Sequence, residues 1–422
     1  MKKCIFSLII LSIVITGYPS QITYSKDSDQ SSYAGSPFAQ SRSFYMFDHG
    51  TMLRIKSEIK VGSTKYDEAL KLLKKNADKH LAATIHTVVD KTGTPYSGDK
   101  HDYMSAAPYW WPNPKTKDGL PWIRKDGEKN KEWLKQFPDD EWAKKMPVQV
   151  YELALYYFYC GDEKYASKAV KFLYDWLINP DKKMNPNMNF GQAVYGKDDI
   201  RDNVLLETRV WTRIPDATLL LKASPSYTNV IDAGVKKWFT EYINWILTSP
   251  SGSANVSDKN KNNPATVGYS QLVVFSAFTG QDELAKKWIN KTKNYLIPNQ
   301  INVKGEQVNE ITRTRALHYS TRNIWALFII ARTAMYYDMN DLWTAQADKT
   351  KGSLKLAADF LFPFWVSPSN WPYKQIDEFN KEDRMEGLPL AWVGYKDPKY
   401  SGQIRNDWGS SFIEYLEYGF PW

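Results

Sequence analysis

The sequence predicts an all-α protein, an incomplete (α/α) toroid of helical hairpins with long aromatic loops walling one groove. Three observations carry that prediction. From about Val148 onward, amphipathic helices joined by short polar turns recur along the chain. Alternating strand patterns are scarce. The segments between helices are long, polar and rich in Trp and Tyr.

The first hairpin reads VQVYELALYYFYCGDEKYASKAVKFLYDWL. Gly161 suits the left-handed residue that ends a helix, and Asp162 the side-chain cap that starts the next. The second hairpin, QLVVFSAFTGQDELAKKWINKTKNYL, puts Gly280 and Asp282 in the same relative places. A third, degenerate copy begins NIWALFIIARTAMYYDMNDLW, with Asn340 expected as the cap. Residues 228–248 carry Ile231, Val235, Trp238, Phe239, Tyr242, Trp245 and Ile246, the spacing of one apolar helix face. Residues 66–86 form another helical stretch. The copies match poorly, which favours closure into a ring over a solenoid of near-identical repeats.

Composition narrows the function. The chain's 17 Trp, 27 Tyr and 18 Phe supply too much bulky apolar surface for a disordered protein. A length of 422 residues is enough to bury a full core without a staple. Cys4 and Cys160 are the only cysteines, which excludes a disulfide scaffold and a cysteine-ligated zinc site. The formal charge of +8 is mild and spread along the chain, with no basic block of the nucleic-acid type. It still favours a polyanionic partner.

Lys2 and Lys3 precede an uncharged apolar run, then small and polar residues, the layout of a secretory signal peptide over residues 1–25. The run falls short of the about 20 residues a membrane span wants. Residues 26–43, rich in Ser, Asp and Gln, read as a flexible leader. Residues 44–422 read as one toroidal domain. A secreted or periplasmic protein is expected, with no membrane association beyond the signal peptide and no nucleic-acid partner.

The chemistry is expected in the long loops at 90–147, 179–212, 249–265 and 363–411. In the first, Tyr109, Trp110, Trp111 and Trp122 sit among Pro and Gly. Flat aromatic faces there either stack on sugar rings or pin the loop to the body. His101 beside Asp102 is either an oriented imidazole or a loop tether. Asn262 and Asn263 precede Pro264 at a helix start, where amides either neutralise a carboxylate or cap the helix. The segment NEITRTRALHYSTRN places Arg313 and Arg315 ahead of His318, Tyr319, Arg322 and Asn323. Arg315, Tyr319 and Asn323 share a helix face. A guanidinium near a phenol favours the phenolate, a usable base, although a Tyr on such a helix often belongs to the core. His318 points about 100° away from Tyr319. No nucleophile elbow, phosphate loop or metal-ligand spacing occurs. A hydrolytic carboxylate pair drawn from Glu207, Glu310 and Asp198 or Asp199 stays open.

Several blocks, in order, resemble the alginate-lyase superfamily of polysaccharide lyases. They are GDKHDYMSAAPYWWPNP, DGLPWIRKDGEKN, GDEKYASKA, MNPNMNFGQAV, ETRVW, WFTEYINWILTSP, NNPATVGYSQLVVFSAFTGQ and NEITRTRALHYS, over roughly residues 90–343. The resemblance implies an (α/α) toroid that cleaves uronic-acid polysaccharides by β-elimination, with no cofactor. It implies an Asn that neutralises the substrate carboxylate, carried onto Asn263 with Asn262 beside it. It also implies an Arg and a Tyr that stabilise charge and move protons, carried onto Arg313 and Tyr319. The adjacent His that serves the family as base is replaced by Pro264, and Val267 and Gly268 stand where aromatics are expected.

Elimination from a β-linked uronate with H5 and O4 on one face is syn, so one group can take the C5 proton and return it to O4. Tyr319 fits that part with Asn263 and Arg313 stabilising the intermediate, and His101 or His318 is the substitute base. The expectation is therefore a lyase for β-linked uronate polymers, mannuronate-rich alginate or glucuronan. Asn262, His101, Tyr109, Trp110, Trp111, Arg315 and His318 are expected to bind substrate. The rival readings are a catalytically impaired polysaccharide-binding protein of the same fold and a toroidal glycoside hydrolase.

Overall fold

The computed structural model describes residues 49–125, 128–196 and 201–409. The expected signal segment and leader lie outside the described residues, as do Asp198 and Asp199. Helices α1 (His49–Lys60) and α2 (Asp67–Ala82) come first. After the first long loop follow α3 (Lys131–Gln136), α4 (Asp139–Cys160) and α5 (Glu163–Leu177). The middle holds α6 (Ile214–Leu220), α7 (Asn229–Thr248), α8 (Pro250–Asn255), α9 (Asn263–Phe278), α10 (Asp282–Lys291), α11 (Ile297–Gln300) and α12 (Ala316–Met335). The chain continues with α13 (Leu354–Val366), α14 (Leu388–Tyr395) and α15 (Pro398–Trp408). Strand is confined to short pieces. Strand β1 (Met104–Ala106) pairs in parallel with β4 (Phe190–Ala193), and β2 (Trp110–Trp111) pairs antiparallel with β3 (Ile123–Arg124).

The hairpins sort into two layers by how their residues are buried. Every residue of α9 is buried, and α12 is buried over most of its length, so both are inner helices. Helices α5 and α10 bury one face only and lie outside them. Helix α9 packs on α7, α10 and α12, and α4 packs on α2, α5 and α6. An aromatic cluster fills the space between. Trp211 lies 5.1 Å from Trp238 between ring centres, and Phe239 lies 4.5 Å from Phe275. This layering is the all-α architecture of an (α/α) toroid.

The first turn forms as the residues predict. Gly161 is left-handed at φ 73° and its N–H donates to the Tyr157 carbonyl, while the Asp162 side chain accepts from the Lys164 N–H. The later turns differ. Gly280 is left-handed at φ 76°, but Gln281 occupies the cap and Asp282 is the first helical residue. The Asp282 carboxylate instead accepts from the Tyr337 hydroxyl at 2.9 Å. In the degenerate copy the left-handed residue is Asp338, at φ 60°, and Asn340 opens a 3-10 turn. Ser353 caps the helix that follows.

Two loops also prove more ordered than expected. Helix α4 begins at Asp139 and runs straight through Pro147. Proline lacks the N–H that would bond the carbonyl four residues back. That carbonyl, Ala143, accepts from the indole N–H of Trp211 at 2.8 Å, so it is not left without a partner. The stretch expected as a loop over 363–411 contains α14, α15 and the end of α13, which continues through Pro363.

A buried ion pair fixes the first long loop. The Lys91 ammonium, with no exposed surface, lies 2.9 Å from Asp139 and donates to the carbonyls of Val88, Lys100 and Asp102. The same Asp139 carboxylate accepts from the Met104 N–H at 2.9 Å. Burial pushes Asp139 up to about 6 despite that ammonium. The aromatic loop is thereby anchored to the start of α4.

Candidate active site

The site grows from the N-terminus of α9. Asn262 is the cap residue, yet its side chain makes no capping bond, and Pro264 occupies the first turn where a missing N–H costs nothing. The carboxylate of Glu310 takes the capping role instead. It accepts from the Asn263 backbone N–H at 2.5 Å and from the Asn263 side-chain amide at 3.0 Å. Both residues are buried. Burial pushes Glu310 up to about 7, against the lowering effect of Asn263, Arg313 and Arg322.

The Arg313 N–H donates to the Glu310 carbonyl at 3.0 Å. Its guanidinium lies over the Tyr319 ring, 4.5 Å from the centroid, in a cation–π contact. Asn263, Glu310, Arg313 and Tyr319 are thus joined by direct contacts. The guanidinium at the phenol is that of Arg313 and not Arg315, which pairs with Asp377 at 2.6 Å. Asn323 faces inward and donates to Gln300 and Gln307. A polar recess of about 570 Å³ opens beside this run, lined by residues including Lys259, Lys261, Asn262, Asn309 and Thr312.

A strap formed by residues 372–387 lies along the start of α12. The Ala316 N–H donates to the Lys374 carbonyl and the Ile376 N–H to the Thr314 carbonyl. His318 is enclosed by it. Its Nδ1 meets the Gln375 amide at 2.6 Å, its Nε2 lies 3.3 Å from Asp383, and its ring packs edge-on against Phe379. Burial lowers the His318 pKa, with Asp383 opposing. Both nitrogens of His318 therefore face the chain's own side chains. Further along, Glu386 bridges Arg209 at 3.2 Å and Arg322 at 3.3 Å.

The first loop supplies a second group of polar side chains. Trp110 and Trp111 are half-buried in the β2–β3 ribbon, with Lys125 over the Trp111 ring and the Trp111 indole donating to the Glu128 carbonyl. Tyr109 is also half-buried, and its carbonyl accepts from the Lys125 N–H. Trp122 packs on Trp133 and Tyr195. His101 Nδ1 lies 2.6 Å from the Lys183 carbonyl, while Asp102 accepts from Ser97, Asn185 and Asn187. Neighbours in sequence, His101 and Asp102 thus turn to different partners.

Glu207 is buried and accepts from the hydroxyls of Tyr103 at 2.9 Å and Ser105 at 2.7 Å. Burial and the nearby Asp140 push it up to about 7. Ser105 also accepts from the N–H of Gln192, a residue held in the left-handed region at φ 51°. Such strain in a non-glycine residue is stored where the surroundings over-determine it, and such sites are frequently functional. Gln192, Arg209 and Glu386 escaped the sequence reading. Gln192 is itself neither Gly nor Asn, so its residue type does not flag the left-handed backbone, and Glu386 is 64 residues from the Arg322 it pairs with.

Comparison with known proteins places the chain in its class. The model of the alginate lyase family matches residues 87–371, which span Asn263, Glu310, Arg313 and Tyr319. The crystal structure of an alginate lyase from Bacteroides ovatus shares 33% identity at a TM-score of 0.80, over 90% of this chain and 99% of that one. Alginate lyase A1-III from Sphingomonas species A1 is similar at 14% identity over 77% of this chain and 87% of that one, with a TM-score of 0.49, too distant to bear on the site. No curated protein sequence matches the chain. The protein is an enzyme of the polysaccharide lyase class. It belongs to the alginate lyase family.

Proposed function

We propose that this lyase cleaves β-linked uronate chains, mannuronate-rich alginate or glucuronan, by syn β-elimination with Tyr319 as both base and acid. The observation that carries the proposal is the unbroken run of contacts from Asn263 through Glu310 and Arg313 to Tyr319. The Asn263 amide neutralises the uronate carboxylate, which makes the C5 proton more acidic. Ionised Tyr319 takes that proton, and the electron pair left on C5 is delocalised into the carboxylate. The C4–O4 bond then breaks, the C4–C5 double bond forms, and the phenol proton passes to O4. Tyrosinate is regenerated, so no other proton carrier is required.

Pro264 leaves no imidazole beside Asn263, which supports the single-tyrosine route over one with a separate base. The half-buried Tyr109, Trp110 and Trp111 are offered as stacking surfaces, and Asn262, Arg315 and His101 as polar contacts to the substrate, while His318, with both nitrogens engaged by Gln375 and Asp383, is left to hold the strap. Glu207 and Glu310 are both buried and hydrogen-bonded within the protein, which favours elimination over hydrolysis. The mature toroid, residues 44–422, is read as secreted or periplasmic. Among the described residues no helix is long and apolar enough to cross a membrane.

The test is direct. The purified protein is offered pure polymannuronate, polyguluronate and glucuronan. A rise in ultraviolet absorbance with products that have gained no water supports elimination. Binding without cleavage would point to an impaired enzyme, and silence on every polymer would overturn the proposal.

A further inference from the structure

We infer that Glu310 is a positioning residue that fixes the orientation of the Asn263 amide and the spacing between Asn263 and Arg313. The inference rests on the reading that Asn263 neutralises the uronate carboxylate. An amide presents an oxygen on one side and an NH2 on the other, and its partners decide which way it turns. An ionised carboxylate only accepts, so Glu310 selects the orientation with Nδ2 toward itself. Oε1 takes the Asn263 backbone N–H at 2.5 Å and Oε2 takes Nδ2 at 3.0 Å, so the grip has two points. One amide hydrogen is held and the other is left to donate.

Glu310 acts at a second place. Its carbonyl accepts the N–H of Arg313, so one residue ties the helix that carries Asn263 to the segment that carries the cation over Tyr319. The residue is 1% exposed, and water cannot substitute for its carboxylate freely. Burial raises the pKa of Glu310, while the two Asn263 donors, Arg313 and Arg322 work against that rise and favour the charged, acceptor-only form. The side chain of Asn262, at the cap position, makes no capping bond that would serve the Asn263 N–H in place of Glu310.

Glu310→Gln keeps the volume and removes one acceptor, so the new NH2 faces a donor of Asn263 and the amide loses its fixed orientation. The expected result on polymannuronate is a roughly ten- to hundredfold loss of kcat/KM, seated mainly in kcat. Glu310→Asp keeps both acceptor oxygens and is expected to recover part of that loss. The decisive readout is a double-mutant cycle with Asn263→Ala, scored by kcat/KM on folded protein. A residue acting through Asn263 costs nothing further once Asn263 is gone. Where Glu310→Gln does not fold, Glu310→Asp takes its place in the cycle. An equal loss in both backgrounds, or wild-type kcat/KM for Glu310→Gln, overturns the inference alone. Full activity in Asn263→Ala overturns it together with the reading of Asn263.

Discussion

Arg313 lies over the ring of Tyr319, its guanidinium carbon 4.5 Å from the centroid. That contact holds a fixed cation against the face of the one phenol assigned to proton transfer. Tyr319→Phe keeps the ring beneath Arg313 and deletes the hydroxyl. Stability is expected to fall by no more than about 1 kcal/mol, the worth of one hydrogen bond. Turnover of polymannuronate is expected to fall about 10²-fold or more with KM nearly unchanged. Absorbance kinetics decide it, and a folded variant that keeps most of its turnover sinks the single-tyrosine mechanism.

Arg313→Ala asks a different question of the same contact. It removes the charge complementary to the uronate as well as the cation over the ring, so KM should rise and kcat should fall together. A change in KM alone would confine Arg313 to binding.

Much of this site was legible in the sequence, and the part that was not has a physical cause. Asn263, Arg313 and Tyr319 are picked out by the family resemblance, since their residue types alone leave helix capping and core packing open for Asn263 and Tyr319. Helical periodicity paired Tyr319 with Arg315, four residues earlier. The helix in fact begins at Ala316, so Arg315 has already left the helical path and turns to Asp377. Glu310 was legible only as a carboxylate of unknown partner, because its bond to Asn263 closes over 47 residues. Pro147 and Pro363 misled in the opposite direction. Each reads as a helix stop, yet both lie inside helices, and at Pro147 a distant tryptophan satisfies the carbonyl that proline abandons.

The pH dependence of stability should carry the mark of Glu207. Burial, helped by Asp140, raises its pKa from an ordinary 4.5 to about 7 in the folded protein. Between those values the native state binds the proton that the unfolded state releases, so stability falls as pH rises through this window and then levels. Glu207→Gln cannot titrate, and its oxygen still accepts from Tyr103 and Ser105. The variant should melt higher than wild type at pH 8 and lose that advantage at pH 5. Calorimetry at the two pH values checks the sign, and a difference that is the same at both would contradict it.

Lys91 offers a sharper test of the scaffold. Lys91→Met removes the ammonium that neutralises Asp139 and serves three backbone carbonyls. Breaking one side of a buried pair costs about 3–5 kcal/mol, because the other charge stays buried without a partner. Urea unfolding should show that loss. The loop bearing Trp110 and Trp111 should loosen with it, read as a higher KM for polymer in the variant that remains folded.

Glu386 gives the last prediction, since it occupies two guanidiniums that a polyanion would also seek. It bridges Arg209 and Arg322, and Arg322 is close enough to act electrostatically on Glu310. It belongs to the strap that follows residue 371, beyond the stretch matched by the family. Glu386→Gln preserves size and hydrogen-bonding reach while deleting the charge. Two guanidiniums relieved of their internal counter-ion then attract the uronate chain more strongly, and that attraction is screened by salt. The variant should show a polymer KM lowered by roughly threefold at low ionic strength, an effect that shrinks as salt is added. Measuring KM at two salt concentrations checks it. A KM that is unchanged at both would place Arg209 and Arg322 out of the substrate's reach and leave Glu386 with the strap as its only charge.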